Sequence, residues 1–124
     1  MTLKDTRAFS GFAVNDLQKA REFYAETLGL HTSEANDLLT RHLAGDRDTL
    51  IYPKPDFVPA TYTILNFEVE DIEKAVDELT ASGVKFERYD GMKQDERGIH
   101  RAGGPLIAWF TDPAGNILSV VQQP

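Results

Sequence analysis

The stretch FAVNDLQKA, residues 12–20, decides the fold because the chain contains it twice. The second copy, FEVEDIEKA, occupies residues 67–75, and Phe, Val, Asp, Lys and Ala recur at a constant offset of 55 residues. In each copy, alternating apolar residues predict a strand, and an aspartate then occupies the N-cap position of a helix whose apolar residues follow at helical spacing. Gly29 and Gly83 mark the predicted helix ends, since glycine adopts the left-handed conformation without steric cost. The pattern predicts two copies of one supersecondary unit.

The composition indicates one compact domain and excludes several classes of function. The chain has 124 residues, of which 41% are hydrophobic, and its formal net charge of −7 argues against a nucleic-acid partner. It contains no cysteine, which excludes disulfides, thiolate metal sites and cysteine catalysis. We find neither a signal-peptide pattern nor an apolar run long enough to span a membrane. We therefore expect a cytoplasmic protein without a membrane partner.

The patterns predict a single domain over residues 1–124, built from module one at 6–53, a proline-rich linker at 54–60 and module two at 61–122. Helices are predicted at 16–28 and 71–81. Strands are predicted at 7–14, 30–35, 38–43, 49–52, 62–69, 84–89, 106–110 and 117–122. A long polar loop is expected at 90–104. Each module therefore reads βαβββ in an α+β fold; a ferredoxin-like fold, the alternative, would have fewer strands after each helix.

Three short motifs carry a resemblance to a known family. They are FY at residues 23–24, LG at 28–29 and DPAGN at 112–116. With these motifs, nearly the whole chain resembles the vicinal oxygen chelate superfamily, which has the glyoxalase/bleomycin resistance/dioxygenase fold. The resemblance implies that the two modules pair into a curled mixed sheet around a cup. It also implies a divalent metal in that cup, which chelates adjacent oxygens of the substrate.

The chain departs from the family at the metal. The ligand positions of the family fall on Phe9, Ile64 and Ser119, and the fourth falls near Tyr52. These side chains offer neither a carboxylate nor an imidazole, the donors that a divalent cation needs. We therefore expect no metal and no other cofactor. An unusual metal set is the alternative, and its residues would be His42, Glu68 and His100.

Strand alternation predicts which side chains line the cup. If Ile64 points into it, Asn66 and Glu68 on the same strand do so as well. Tyr89 and Trp109 are candidates to stack on a planar ligand. No catalytic residue is assigned. The predicted ligand-binding residues are Phe9, Tyr52, Ile64, Asn66, Glu68, Trp109 and Ser119.

Three functions remain open from the sequence. The first is a metal-free protein, similar to the bleomycin-resistance branch, that binds a small organic molecule in its cup. The second is a metal-dependent glyoxalase, lyase or dioxygenase that uses the unusual ligand set. The third is an interaction module with an empty cup. Small relatives of this length commonly pair, so the resemblance also implies a homodimer.

Overall fold

The computed structural model describes residues 3–35, 38–43 and 47–124, with side chains described for 3–34 and 48–124. The chain divides into two compact units, Met1–Phe57 and Val58–Pro124. The division falls within the linker predicted at 54–60. In the part of the chain that is described, no helix has the length and apolar character needed to cross a membrane.

The first unit is a four-stranded mixed sheet with one helical segment. After a short 3₁₀ turn at Leu3–Asp5, it contains β1 (Ser10–Val14), α1 (Leu17–Arg21), β2 (His31–Ala35), β3 (Leu38–Leu43) and β4 (Arg47–Pro53). The strand order is β1-β4-β3-β2, with β1 parallel to β4 and the other pairs antiparallel. This unit has the predicted βαβββ order.

The first helix is predicted as one continuous α-helix over 16–28, but α1 continues as a π-helix over Glu22–Thr27. The wider turn is visible in the Leu28 N–H, which donates to the Phe23 carbonyl five residues earlier at 2.9 Å. Tyr24 lies in this segment and is fully buried, with its ring 5.9 Å from that of Phe12. The π-helix is thus part of the core of the first unit.

The second unit places one helix against a three-stranded sheet. It contains β5 (Thr63–Glu68), α2 (Ile72–Ala81), β6 (Leu106–Thr111) and β7 (Ile117–Gln122), and its strand order is β5-β7-β6. Strands β5 and β7 are parallel, and β6 and β7 are antiparallel. The core is formed by buried apolar side chains of β6, β7 and α2: Ala108, Phe110, Leu118, Val120, Ile72 and Val76.

The strand predicted at 84–89 is wrong in its extent. Only Phe86 forms a bridge, to Phe110, and the Glu87 N–H donates to the Trp109 carbonyl at 2.8 Å. The reason is the side chain of Gln94, which takes the place of a strand partner. Its amide nitrogen donates to the carbonyls of Glu87 and Gly98 at 2.9 and 2.8 Å, and its oxygen accepts the Tyr89 N–H at 2.9 Å. The backbone groups are therefore satisfied without a regular strand.

The loop at 90–104 is more firmly attached than its polar composition suggests. Ile99 is fully buried, and Asp95 accepts hydrogen bonds from the N–H groups of Arg97 and Ile99, both at 2.9 Å. The loop expected at 90–104 thus contributes one fully buried apolar side chain, that of Ile99.

Two arginines connect the loop to α2. Arg97 donates to Asp77 at 3.0 and 3.3 Å, and Arg101 bridges Glu73 at 2.6 Å and Asp95 at 2.8 Å.

Asp95 makes the stability of the second unit depend on pH. Burial alone would raise the pKa of this carboxyl, but the hydrogen bonds from Arg101 and from the N–H groups of Ile99 and Arg97 hold the pKa below its usual value of 3.8. Because the folded pKa is lower than the unfolded one, the stabilisation is fully present above the unfolded pKa and is lost as the pH falls through the folded pKa.

We predict that Asp95→Asn lowers the free energy of unfolding at neutral pH by about 1–2 kcal/mol, because an amide loses the charge-assisted hydrogen bond from Arg101. It should also flatten the loss of stability on acidification below pH 3.8. Urea unfolding at a series of pH values measures both effects. Asp90→Asn, at an exposed position of the same loop, is the control. An unchanged acid dependence in Asp95→Asn would contradict the prediction.

Candidate functional site

Two rows of side chains cross the sheet of the second unit on the face opposite α2. Pairing between strands places Asn66 beside Ser119 and Ser119 beside Trp109. It places Glu68 beside Val121 and Val121 beside Ile107 in the same way. Paired residues of neighbouring strands point to the same side of a sheet, and so do alternate residues of one strand. We call this surface the Trp109 face, defined by Asn66, Glu68, Ile107, Trp109, Ser119 and Val121.

The two faces of this sheet differ sharply in character. The face toward α2 carries Ala108, Phe110, Leu118 and Val120, none of them more than 2% exposed. On the Trp109 face, by contrast, both polar residues of β5 are exposed, and Trp109 is half-buried. The Trp109 face is therefore the candidate ligand surface of the second unit.

Asn66 and Ser119 form a hydrogen-bonded pair. The Ser119 hydroxyl, fully buried, donates to Oδ1 of Asn66 at 2.5 Å. Since Oδ1 accepts this bond, the amide nitrogen of Asn66 is left as a donor, and it has no protein partner among the described residues. The pair therefore presents a fixed amide donor on the Trp109 face.

Two aromatic side chains from the segment between α2 and β6 pack against Trp109. The Tyr89 ring lies 5.6 Å from that of Trp109 in an edge-on arrangement, and the His100 ring lies 6.1 Å away. Burial, and secondly the charge of Glu87, raise the pKa of the Tyr89 phenol, which therefore stays a neutral hydroxyl. Tyr89 was expected only as a stacking candidate. Its position depends on the path of residues 86–89 along β6, which no periodicity in the sequence indicates.

The tautomer of His100 follows from its hydrogen bond. Nδ1 lies 3.0 Å from the Lys93 carbonyl, which can only accept, so Nδ1 carries the proton. In the neutral ring Nε2 is then an acceptor of a hydrogen bond.

The predicted residues outside the Trp109 face have different surroundings. Phe9 precedes β1 and is 67% exposed, and Tyr52 on β4 is paired with Ala13 and is 38% exposed. Both belong to the first unit. Ile64 is half-buried on β5, at a point where the pairing with β7 shifts register. Of the predicted ligand-binding residues, the structure thus brings Asn66, Glu68, Trp109 and Ser119 onto one face.

The positions that hold the family's metal do not fit a divalent cation. Phe9 and Ile64 are hydrocarbons, and the Ser119 hydroxyl already donates to Asn66. Among the side chains that are described, no group of three or more His, Asp or Glu residues could hold a metal ion. The donor chemistry at these positions therefore does not match that of a divalent-metal centre.

The alternative metal set is dispersed. The side chain of His42 lies outside the described residues. Glu68 pairs with Val121, Val121 with Ile107 and Ile107 with His100, so Glu68 and His100 stand three strand spacings apart, about 14 Å at ~4.8 Å per strand. That separation is between backbones and takes up the combined reach of the two side chains, and the described side chains include no group of three His, Asp or Glu that could hold an ion.

Comparison with known proteins places these features in a family. The model of the Glyoxalase/Bleomycin resistance protein/Dioxygenase superfamily matches residues 8–120. The uncharacterized protein YraH of Bacillus subtilis (strain 168) is 28% identical over 122 residues, which cover 86% of this chain and 90% of that protein.

Solved structures show the same fold. TnmS3, an antibiotic binding protein from Streptomyces sp. CB03234, superimposes with a TM-score of 0.69 at 23% identity, over 97% of this chain and 98% of its own. The fosfomycin resistance protein FosX from Listeria monocytogenes gives a TM-score of 0.70 at 15% identity, over 97% and 94% of the two chains. The family match over most of the chain carries the assignment: the chain belongs to the glyoxalase/bleomycin resistance protein/dioxygenase superfamily.

Proposed function

We propose that this protein binds a small planar organic molecule, neutral or cationic, on the Trp109 face, without a divalent metal. The observation that carries the proposal is the row Asn66–Ser119–Trp109, in which a fixed amide donor and a large half-buried ring lie on either side of Ser119. The indole of Trp109 and the phenol ring of Tyr89 supply apolar contact for a flat ligand.

The polar groups of the face set the expected charge of the ligand. Glu68 is exposed and forms no ion pair among the described residues, so its carboxylate is available to a cationic or hydrogen-bond-donating group. The amide nitrogen of Asn66 can donate to a carbonyl of the same ligand. The net charge of −7 further favours a cation over an anion on this surface.

The relatives support binding of this kind. The structural neighbour TnmS3 is an antibiotic binding protein, and FosX is a fosfomycin resistance protein. We propose a role like that of the first for the present chain, because the Trp109 face offers an aromatic ring and a hydrogen-bond donor to a ligand.

Trp109 is the single tryptophan of the chain and reports directly on its own surroundings. We predict that bleomycin, or another planar cationic or neutral aromatic antibiotic, changes the Trp109 emission saturably in the presence of EDTA. Asn66→Ala and Glu68→Gln should each weaken that binding about tenfold or more, since each removes a hydrogen bond to the ligand that water replaces only partly. Glu70→Gln, just beyond β5, is the matched control and should bind as the wild type does.

Two results would contradict this proposal. If no member of such a panel alters the emission, an interaction module becomes the better description. If binding requires zinc, nickel, manganese or iron(II), and near-stoichiometric metal is lost in Glu68→Gln, the metal-dependent glyoxalase, lyase or dioxygenase is favoured.

The proposal includes a homodimer. In the first unit Phe9 is 67% exposed, and in the second unit Val58 and Tyr62 are 82% and 69% exposed. A homodimer would remove such apolar side chains from water, which favours association. Light scattering at micromolar concentration should give twice the mass of the chain, and the double variant Phe9→Ser, Tyr62→Ser should shift the protein toward monomer. A monomeric wild type would remove this part of the proposal.

A further inference from the structure

A cleft of about 350 Å³ lies in the second unit on the opposite side of the sheet from the Trp109 face. Phe86, which lines the cleft, shows which side of the sheet this is. Its ring lies 5.5 Å from that of Phe110, a residue of the face toward α2. The cleft is bounded by α2, by the segment after it and by the loop. Its lining residues are Val76, Asp77, Thr80, Val84, Lys85, Phe86, Arg88, Glu96, Arg97 and Gly98. It is therefore separate from the site proposed above.

The floor of the cleft is apolar. Val76 is 2% exposed and Val84 is 6% exposed, and the half-buried ring of Phe86 lies beside them. The loop backbone closes one side at Gly98, which has φ +90°. A Cβ at Gly98 would lie 3.3 Å from Cβ of Phe86, so glycine permits the loop to approach this closely. Such a floor can bury a small apolar group of a ligand.

The rim of the cleft is charged, and its positive side chains differ in the partners they have. The guanidinium of Arg97 is paired with the Asp77 carboxylate at 3.0 and 3.3 Å. Arg88 instead donates to a backbone carbonyl, that of Glu96, at 2.8 Å, and within the described part of the chain no carboxylate pairs with it. Lys85 is exposed and forms no ion pair among the described residues. Three cations thus face two carboxylates, an excess of positive charge in a chain of net charge −7.

From this arrangement we infer that the cleft binds a small organic carboxylate with an apolar body. The carboxylate lies between the guanidinium of Arg88 and the ammonium of Lys85, because a guanidinium fork matches the planar geometry of a carboxylate. The apolar body lies on Val76, Val84 and Phe86. The volume suits a ligand with one ring or a short branched chain.

The test compares 3-phenylpropanoate with 3-phenylpropanamide, which has the same shape and no charge. In NMR titrations of the wild type up to about 10 mM, the carboxylate should saturate with shifts at the methyl groups of Val76 and Val84, at an affinity typical of so small a ligand. The amide should bind about tenfold more weakly or not at all. Raising the salt concentration from about 0.02 M to 0.5 M should weaken the carboxylate alone, since salt screens the exposed charges.

The variant Lys85→Gln, Arg88→Gln should weaken carboxylate binding at least about tenfold. Lys19→Gln, which removes a positive charge from α1 in the first unit, is the control. Equal binding of the amide, an affinity unchanged in the variant, shifts confined to the Trp109 face, or no saturation by 10 mM would each overturn the inference. The comparison of the carboxylate with the amide, and of low with high salt, uses the wild type. It therefore tests the inference even if the double variant fails to fold.

Discussion

Replacing Phe110 with alanine is expected to lower the free energy of unfolding by about 3–5 kcal/mol. Phe110 lies on β6, is fully buried, and packs its ring against Phe86 at an interplanar angle of 64°. It stands beside Leu118 of β7, which is also fully buried. Alanine would leave a cavity where the ring was, because close-packed neighbours collapse only partly into such a space.

Urea unfolding followed by circular dichroism measures this loss. Phe110→Leu retains most of the volume and should cost less, about 1.5 kcal/mol or below. Met92→Ala removes a large apolar side chain that is 43% exposed in the same unit and should change stability by only about 0.5 kcal/mol. If Phe110→Ala costs no more than Phe110→Leu, the residue does not hold the central place in the core that its burial indicates.

The sequence predicted the repeated elements because the signals for them are local. Asp16 and Asp71 cap their helices in the same way, each accepting the N–H of the residue three positions later at 3.1 Å. The strands at 38–43 and 117–122 are confirmed, since alternation and turn residues mark them in the chain itself. Membership of the superfamily is confirmed by the family model.

The structure differs from the prediction where tertiary contacts, and not the local sequence pattern, determine the conformation. The side chain of Gln94 satisfies backbone groups of Glu87 and Tyr89, so a segment with the composition of a strand forms only a bridge. The π-helix that continues α1 contains the fully buried Tyr24, and the helical spacing of apolar residues does not indicate its wider turn. In both places tertiary contacts outweigh propensity.

The candidate site likewise contains residues that the sequence pattern predicted to lie together and residues that it did not. Alternation along β5 placed Asn66 and Glu68 together, and the position of Ser119 in β7 put it beside them. The packing of Tyr89 and His100 on Trp109 depends on how the loop returns along β6, which sequence periodicity does not encode. The binding role of these residues stays a prediction.

The second large effect concerns a buried polar turn in the motif at 112–116. Asp112 is 4% exposed and Asn116 is 2% exposed. One carboxylate oxygen of Asp112 accepts the N–H groups of Ala114 and Asn116 at 3.0 and 2.9 Å, and the other accepts the side-chain amide of Asn116 at 3.0 Å. This carboxylate holds together the turn that connects β6 to β7.

Asp112→Ala should therefore lower the free energy of unfolding by about 3–4 kcal/mol, because it leaves three donors without their acceptor in a site that water scarcely reaches. Asp112→Asn should cost about 2 kcal/mol, since the amide oxygen can still accept the two N–H groups while the amide nitrogen faces the donor of Asn116. Urea unfolding gives both values. Asp56→Ala, where the side chain is 83% exposed, is the control and should cost no more than about 1 kcal/mol. A loss in Asp112→Ala no greater than in this control would mean that the carboxylate is not what maintains the turn.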